Sequence, residues 1–156
     1  MSVDNAGIYF FGPPPSSAQV AALAEDALAV ESIDGDKTRV SIAWADVTMA
    51  VNIDPRWNRA GQLRGIRTWL ASFPESERQS AIVQDFLANL DMVTTCYGSV
   101  ITPAYDEDGK VVKFLKAMIR PSGGFIFTRQ SFYSATGVRI AGLEGDPRNL
   151  EDAHGA

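Results

Sequence analysis

The sequence predicts an α+β domain: a single antiparallel or mixed sheet with helices packed on one face, in the order β-α-β-β-α-α-β-β-β. Three observations predict it. Runs of β-branched and aromatic residues bounded by Gly, Pro and Asp recur along the chain, and the strongest spans Lys110 to Leu143, where Pro121-Ser122-Gly123-Gly124 joins two apolar stretches into an expected central hairpin. Three other stretches place apolar residues at helical spacing behind capping signals. The chain has 156 residues with no linker-like segment between residues 8 and 143, one domain's worth. A ferredoxin-like core with extra strands is one topology that fits this order.

Taken in order, Ile8-Tyr9-Phe10-Phe11 reads as a buried strand stopped by Gly12 and three prolines. Ser16 and Gln19 have the spacing of a capping box, followed by Val20, Leu23, Ala24, Ala27 and Leu28 at helical spacing. A phosphate loop at this helix start is disfavoured, because Pro13, Pro14 and Pro15 have no N–H to offer and the Gly and Lys-Ser/Thr of such a loop are missing. Val30 to Ile53 is expected to form two strands around Asp34-Gly35-Asp36, the second running through Trp44 and Asp46. Asp54-Pro55 then reads as a cap and first helical position, with Leu63, Ile66, Trp69 and Leu70 as the apolar arc to about Leu70.

Ser72, Pro74 and Glu75 open a further helix whose stripe is Ala81, Ile82, Val83, Phe86, Leu87 and Leu90. After Asp91 the pattern turns to β, with Gly98 marking a bulge or the close approach of another group. Tyr105 to Lys110 reads as a hairpin turn; its acids fall short of a calcium loop. In the stretch that follows, read as a strand, the apolar parity slips: Val112 and Phe114 share one face while Leu115, Ala117 and Ile119 share the other. After the Pro121–Gly124 turn, Phe125, Phe127, Arg129, Ser131 and Tyr133 share a face, and Val138 with Ile140 extend the sheet. Residues 1–143 form the expected domain and 144–156 an acidic, flexible tail.

The formal charge is −5, and the tail alone holds four acids against Arg148, which leaves 13 minus 15, or −2, for the body. Without a basic face, nucleic acid is not an expected partner. No stretch has the length and apolarity of a membrane span or the leader of an export signal, and the single cysteine, Cys96, excludes an internal disulfide, so a soluble cytoplasmic protein is expected.

The chemistry is bounded by one imidazole, His154, the third-last residue of the chain. Ser-His-Asp and Cys-His catalysis both need a positioned histidine, and zinc or another transition metal needs more ligands than are in view, so no metal and no cofactor are expected. Cys96 reads as a small buried hydrophobe. A non-catalytic protein-interaction or assembly module is therefore the leading expectation, with a protein partner or self-association. Its contact surface would include Arg56, Arg59, Arg64 and Arg67, the densest positive feature of the chain, where planar guanidinium forks suit carboxylates or phosphates. The alternative is a binder of a small anionic ligand through Trp44, Asp46, Arg129 and Tyr133, if their faces converge. A hydrolase or transferase using carboxylate, Tyr and Arg groups comes third. Arg129, on an otherwise aromatic face, must reach solvent, a carboxylate or a ligand, because an unpaired buried guanidinium is too costly.

Overall fold

The computed structural model describes residues 3–35, 37–143 and 149–151. Eight strands form one antiparallel sheet: β1 (Asp4–Phe10), β2 (Ala29–Ile33), β3 (Thr38–Ala43), β4 (Thr48–Ile53), β5 (Thr95–Thr102), β6 (Gly124–Thr128), β7 (Ser131–Ser134) and β8 (Arg139–Gly142). Their order across the sheet is β2-β3-β4-β5-β1-β6-β7-β8. Five helices complete the α+β fold: α1 (Ser17–Leu23), α2 (Arg59–Ala71), α3 (Glu75–Arg78), α4 (Ala81–Asn89) and α5 (Lys110–Ile119). None of the helices among the described residues is long and apolar enough to cross a membrane.

The first helix starts where its capping box places it: Ser16 Oγ accepts from the Gln19 N–H at 3.2 Å while Gln19 Oε1 accepts from the Ser16 N–H at 2.8 Å. It stops at Leu23, short of the apolar spacing that continues to Leu28. The second starts later than expected. Asp54 caps a turn instead, taking the Arg56 N–H at 2.9 Å, and Asn58 accepts from the Gly61 N–H at the true helix start. The third expected helix is broken in two, because Ser80 accepts from the Val83 N–H and begins α4 afresh.

The largest correction concerns Lys110–Ile119, which is helix α5 and not a strand. Val111, Val112, Phe114, Leu115, Met118 and Ile119 are its buried residues, so the slip in strand parity was the helical period itself. The expected turn at Tyr105–Lys110 is the approach to this helix, with both oxygens of Asp106 accepting from the N–H groups of Lys110 and Val111. Gly123, at φ 75°, closes its far end by donating to the Ile119 carbonyl at 2.8 Å. Pro121–Gly124 thus joins a helix to a strand, and the true hairpin of this region is β6–β7.

Helices also lie on both faces of the sheet, not on one. The clean alternation in β1 shows it: Ala6, Ile8 and Phe10 enter a core with Val20 of α1 and the buried side of α5, whereas Tyr9 enters a second core with Leu63, Ile66 and Leu70 of α2 and Val83 and Phe86 of α4. The second core is strongly aromatic: Phe125 stacks on Tyr9 at 4.6 Å and meets Phe86 edge-on at 4.7 Å. The observed element order is therefore β-α-β-β-β-α-α-α-β-α-β-β-β. Taken alone, β1, α1, β4, β5, α5 and β6 give a β-α-β-β-α-β succession with β1 and β5 central. A ferredoxin-like fold is not established by it, because α2–α4 stand between β4 and β5 where that core has a direct hairpin.

Of the expected tail, residues 144–148 and 152–156, including His154, lie outside the described residues. Leu150 is buried in the α1–α5 core, its N–H donating to the Gly137 carbonyl at 2.7 Å.

Candidate binding surface

Helices α2 and α4 cover the second face only over β1, the Cys96 end of β5 and β6–β8. Over β2–β4 and β5 beyond Cys96, which packs against the α2–α4 core, that face carries no helix. Along these strands residues alternate between two environments: Val40, Ile42, Met49, Val51, Tyr97, Ser99 and Ile101 are buried against α1 and α5, while Arg39, Ser41, Ala43, Thr48, Ala50, Asn52, Gly98 and Val100 on the other side are all exposed or only half-buried. Half of one sheet face is bare.

Two hollows lie on it. One, of about 450 Å³, is lined by Lys37, Arg39, Asn52, Trp57, Cys96 and Gly98. The other, of about 320 Å³, lies over Ser41, Ala43, Ala50 and Val100 toward the β2 edge. Trp57 forms the wall between the first hollow and the aromatic core, meeting Tyr9 edge-on at 6.0 Å.

Gly98 sits in the middle of this face, opposite Gly7 of β1 and Asn52 of β4. A glycine inside a strand weakens it, so it calls for a reason. A bulge would supply one, but the register with both neighbouring strands runs through Gly98 without a shift. A left-handed backbone would supply another, but Gly98 is not among the positive-φ residues. Crowding would supply a third, yet a Cβ built there meets nothing within 4 Å. Gly7 differs, since its Cβ would come within 3.1 Å of the Tyr9 ring. Neither a bulge nor crowding by another part of the chain is seen at Gly98 among the described residues.

The polar groups of the larger hollow are pinned by one another. Arg39 Nε donates to Asn52 Oδ1 at 3.1 Å, and Lys37 Nζ lies 3.6 Å from Asp54. The Asp54 carboxyl is held below its usual value, first by the Arg56 backbone N–H and then, against some desolvation, by Lys37 and Arg56. The Cys96 thiol is pushed up to about 12 by burial, and the Tyr9 hydroxyl is raised by burial as well. Both are protonated near pH 7, so neither acts as an anion there. Among the described residues no three His, Cys, Asp or Glu side chains come together as a metal site would need.

The four residues expected to converge on a small ligand lie in separate places. Trp44 is buried in the α1–α5 core, edge-on to Phe114 at 5.8 Å, its indole N–H donating to Asp26 at 3.1 Å. Asp46 is exposed in the β3–β4 turn, because the strand expected to run through Trp44 breaks there, with the Trp44 N–H donating to the Val47 carbonyl at 2.9 Å. Tyr133 is fully buried. Arg129 reaches a carboxylate: Nη2 lies 3.2 Å from Asp4 Oδ2, and its guanidinium stacks over Tyr105 at 4.6 Å. Around it, Thr128 Oγ1 donates to the Asn5 carbonyl and meets the Tyr105 hydroxyl at 2.7 Å, so this cluster ties the β6–β7 hairpin to β1.

The arginines of the α2 region are partly used up inside the chain. Arg59 donates to the carbonyls of Val93 and Asp91, each at 2.6 Å, which fastens α2 to the chain entering β5. Arg67 pairs with Asp91 at 3.1 Å and Arg56 approaches Asp54 at 3.8 Å. Arg64 is exposed, with no ion pair among the described residues. The bare face itself was missed by sequence reasoning, although Gly98 in a β-branched run was its one visible signal. No protein-family model matches the chain, and neither the curated proteins nor the solved structures contain a match to it.

Proposed function

We propose that this chain is a non-catalytic protein-interaction module whose working surface is the bare face over β2–β5. Gly98 carries the reading: a strand glycine with no internal reason, on an uncovered sheet face, fits a surface that another backbone approaches closely. The chemistry of the hollow supports a binding role over a catalytic one, since Lys37 is paired with Asp54, Arg39 is held by the neutral Asn52 through Nε alone, and the Cys96 thiol stays protonated. The hollows are shallow depressions on a broad face, which suits a polypeptide better than an enclosed small molecule.

The reading is tested by selecting binders from a random displayed peptide library and mapping them by backbone amide shifts. Perturbations centred on Arg39, Ser41, Ala50, Gly98 and Val100 are expected. Binders that map instead to α2–α4 or to the α1–α5 side would overturn it.

A second reading is favoured by one observation. The terminal nitrogens of Arg39 and the indole N–H of Trp57 have no partner among the described residues and line the same hollow of about 450 Å³, so a small anionic ligand would find donors there. Titration of wild-type and Arg39→Ala protein with a carboxylate- and phosphate-bearing metabolite set separates the two readings. A hit lost in the variant supports the ligand, and no hit leaves the interaction surface.

A further inference from the structure

Strand β2 is one edge of the sheet, and all five of its residues are exposed. Natural edges are blunted by Lys, Pro, a bulge or a covering segment. The opposite edge has such devices: the β7–β8 register shifts at Phe132/Tyr133, and Asn149 bridges to Val138 beside it. The β2 edge, Ala29–Ile33, has no Lys and no Pro, and with Leu28 it gathers three of the exposed large apolar side chains, Leu28 at 75%, Val30 at 40% and Ile33 at 52%.

The ladder shows which groups are free. The Trp44 N–H donates to Val47, so Trp44, Ile42 and Val40 bond toward β4, and by alternation Ala43, Ser41 and Arg39 bond toward β2. Their partners Ala29, Glu31 and Ile33 are thereby occupied. Val30 and Ser32 direct their N–H and C=O groups out from the edge.

We propose that β2 accepts an extended polypeptide strand in which apolar residues alternate with Lys or Arg. This rests on the interaction-module reading and names its partner's chemistry. Val30, opposite Ile42, lies on the α1 side and is exposed, so an added strand meets apolar surface there. Glu31 lies on the bare face, exposed and without an ion pair among the described residues, so the residue opposite it is best basic. Asp34, just after β2, adds exposed negative charge at the end of the strand, whereas Glu25 and Asp26 line a separate hollow with Lys110 and Lys113 of α5. Two cations of the adjoining strand β3 and its approach are engaged elsewhere, Lys37 with Asp54 and Arg39 with Asn52. This charge balance disfavours a second copy of β2, which would bring the same acids together, and favours a basic strand.

The test uses two blocked six-residue peptides, alternating valine with lysine or valine with glutamate, titrated into the full chain and followed by backbone amide spectra. The lysine peptide is expected to bind saturably, at least about tenfold tighter than the glutamate peptide, with shifts and slowed exchange at the Val30 and Ser32 amides. Val30→Pro removes only an outward N–H, so it should abolish binding while leaving the melting temperature near wild type. Glu31→Lys should reverse the preference between the peptides. Equal binding of both peptides, unchanged binding by Val30→Pro, or a concentration-dependent dimer protected at β2 would each overturn the assignment. If the edge fails while library binders still map to the bare face, the edge assignment falls and the interaction reading stands; if both fail, both fall.

Discussion

Arg129 and Gln130 turn the β6–β7 hairpin with φ of 50° and 64°, the left-handed region that Asn-Gly or Asp-Gly ordinarily fills. Arg129 is compensated by Asp4 and the Tyr105 ring. Gln130 is exposed, and its side chain has no compensation of that kind among the described residues, only a backbone carbonyl that accepts from the Leu143 N–H at 3.3 Å. Gln130→Gly should therefore stabilise the protein by about 1 kcal/mol, read as a rise of about 2–4 °C in Tm. The buried hydroxyl and thiol give a pH prediction. Tyr105 is pushed up to about 12 by burial, from 10.0, and Cys96 to about 12, from 9.0. Folding favours the protonated forms, so their contribution is complete below pH 9 and is lost as pH rises through 9 to 12. Denaturation midpoints should hold level from neutral pH to about 9 and fall steeply above it. The demand that Arg129 find a carboxylate, ligand or solvent was legible in the sequence, because a guanidinium among aromatics has few alternatives. The identity of its partner was not, since Asp4 is distant along the chain and meets it only through the β1–β6 ladder.

Helix α5 shows how local preference and period can disagree. Val111, Val112 and Phe114 favour a strand by residue type, while the spacing of Val111, Leu115, Met118 and Ile119 is that of a helix, and packing on the sheet decides for the period. Leu115, fully buried beneath the sheet, should cost about 2–5 kcal/mol when changed to Ala, measured by chemical denaturation. The capping box at Ser16 and the Val83–Phe86–Leu90 part of the α4 stripe were legible because each depends on neighbours within a turn or two, but Ala81 and Ile82, expected in that stripe, are exposed at the start of α4. The break at Trp44 was not, because Trp44, Ala45 and Asp46 carry no Gly or Pro and the turn is set by burial of the indole against Phe114 and its bond to Asp26. At the same scale Gly98→Val puts a strand-favouring side chain into open space. It should leave the fold intact and add about 0.5–1 kcal/mol of stability, a gain that contrasts with Gly124→Ala, where a Cβ would run into the Tyr9 carbonyl oxygen and the fold should be badly weakened.

For the whole molecule, the insertion of α2–α4 between β4 and β5 is the decisive feature. It covers the second face over β1, the Cys96 end of β5 and β6–β8, builds the aromatic core there, and leaves the rest of the face over β2–β5 uncovered. Composition and periodicity give the amount of apolar surface in each element but not which strands a helix segment will reach, so an α+β sheet was legible and its half-bare face was not. The same limit explains why Trp44, Asp46, Arg129 and Tyr133 looked like a set: each has a face, but the sheet order places Trp44 and Asp46 at the β3–β4 turn and Arg129 and Tyr133 in the β6–β7 hairpin. The most direct measurement on the bare face is quantitative affinity capture from the native cells with three baits of equal Tm: wild type, Gly98→Trp on the bare face, and Ile82→Arg on the exposed side of α4. A partner held by wild type and Ile82→Arg and lost by Gly98→Trp is the predicted result, whereas a partner retained by Gly98→Trp and lost by Ile82→Arg would contradict the assignment of the working surface.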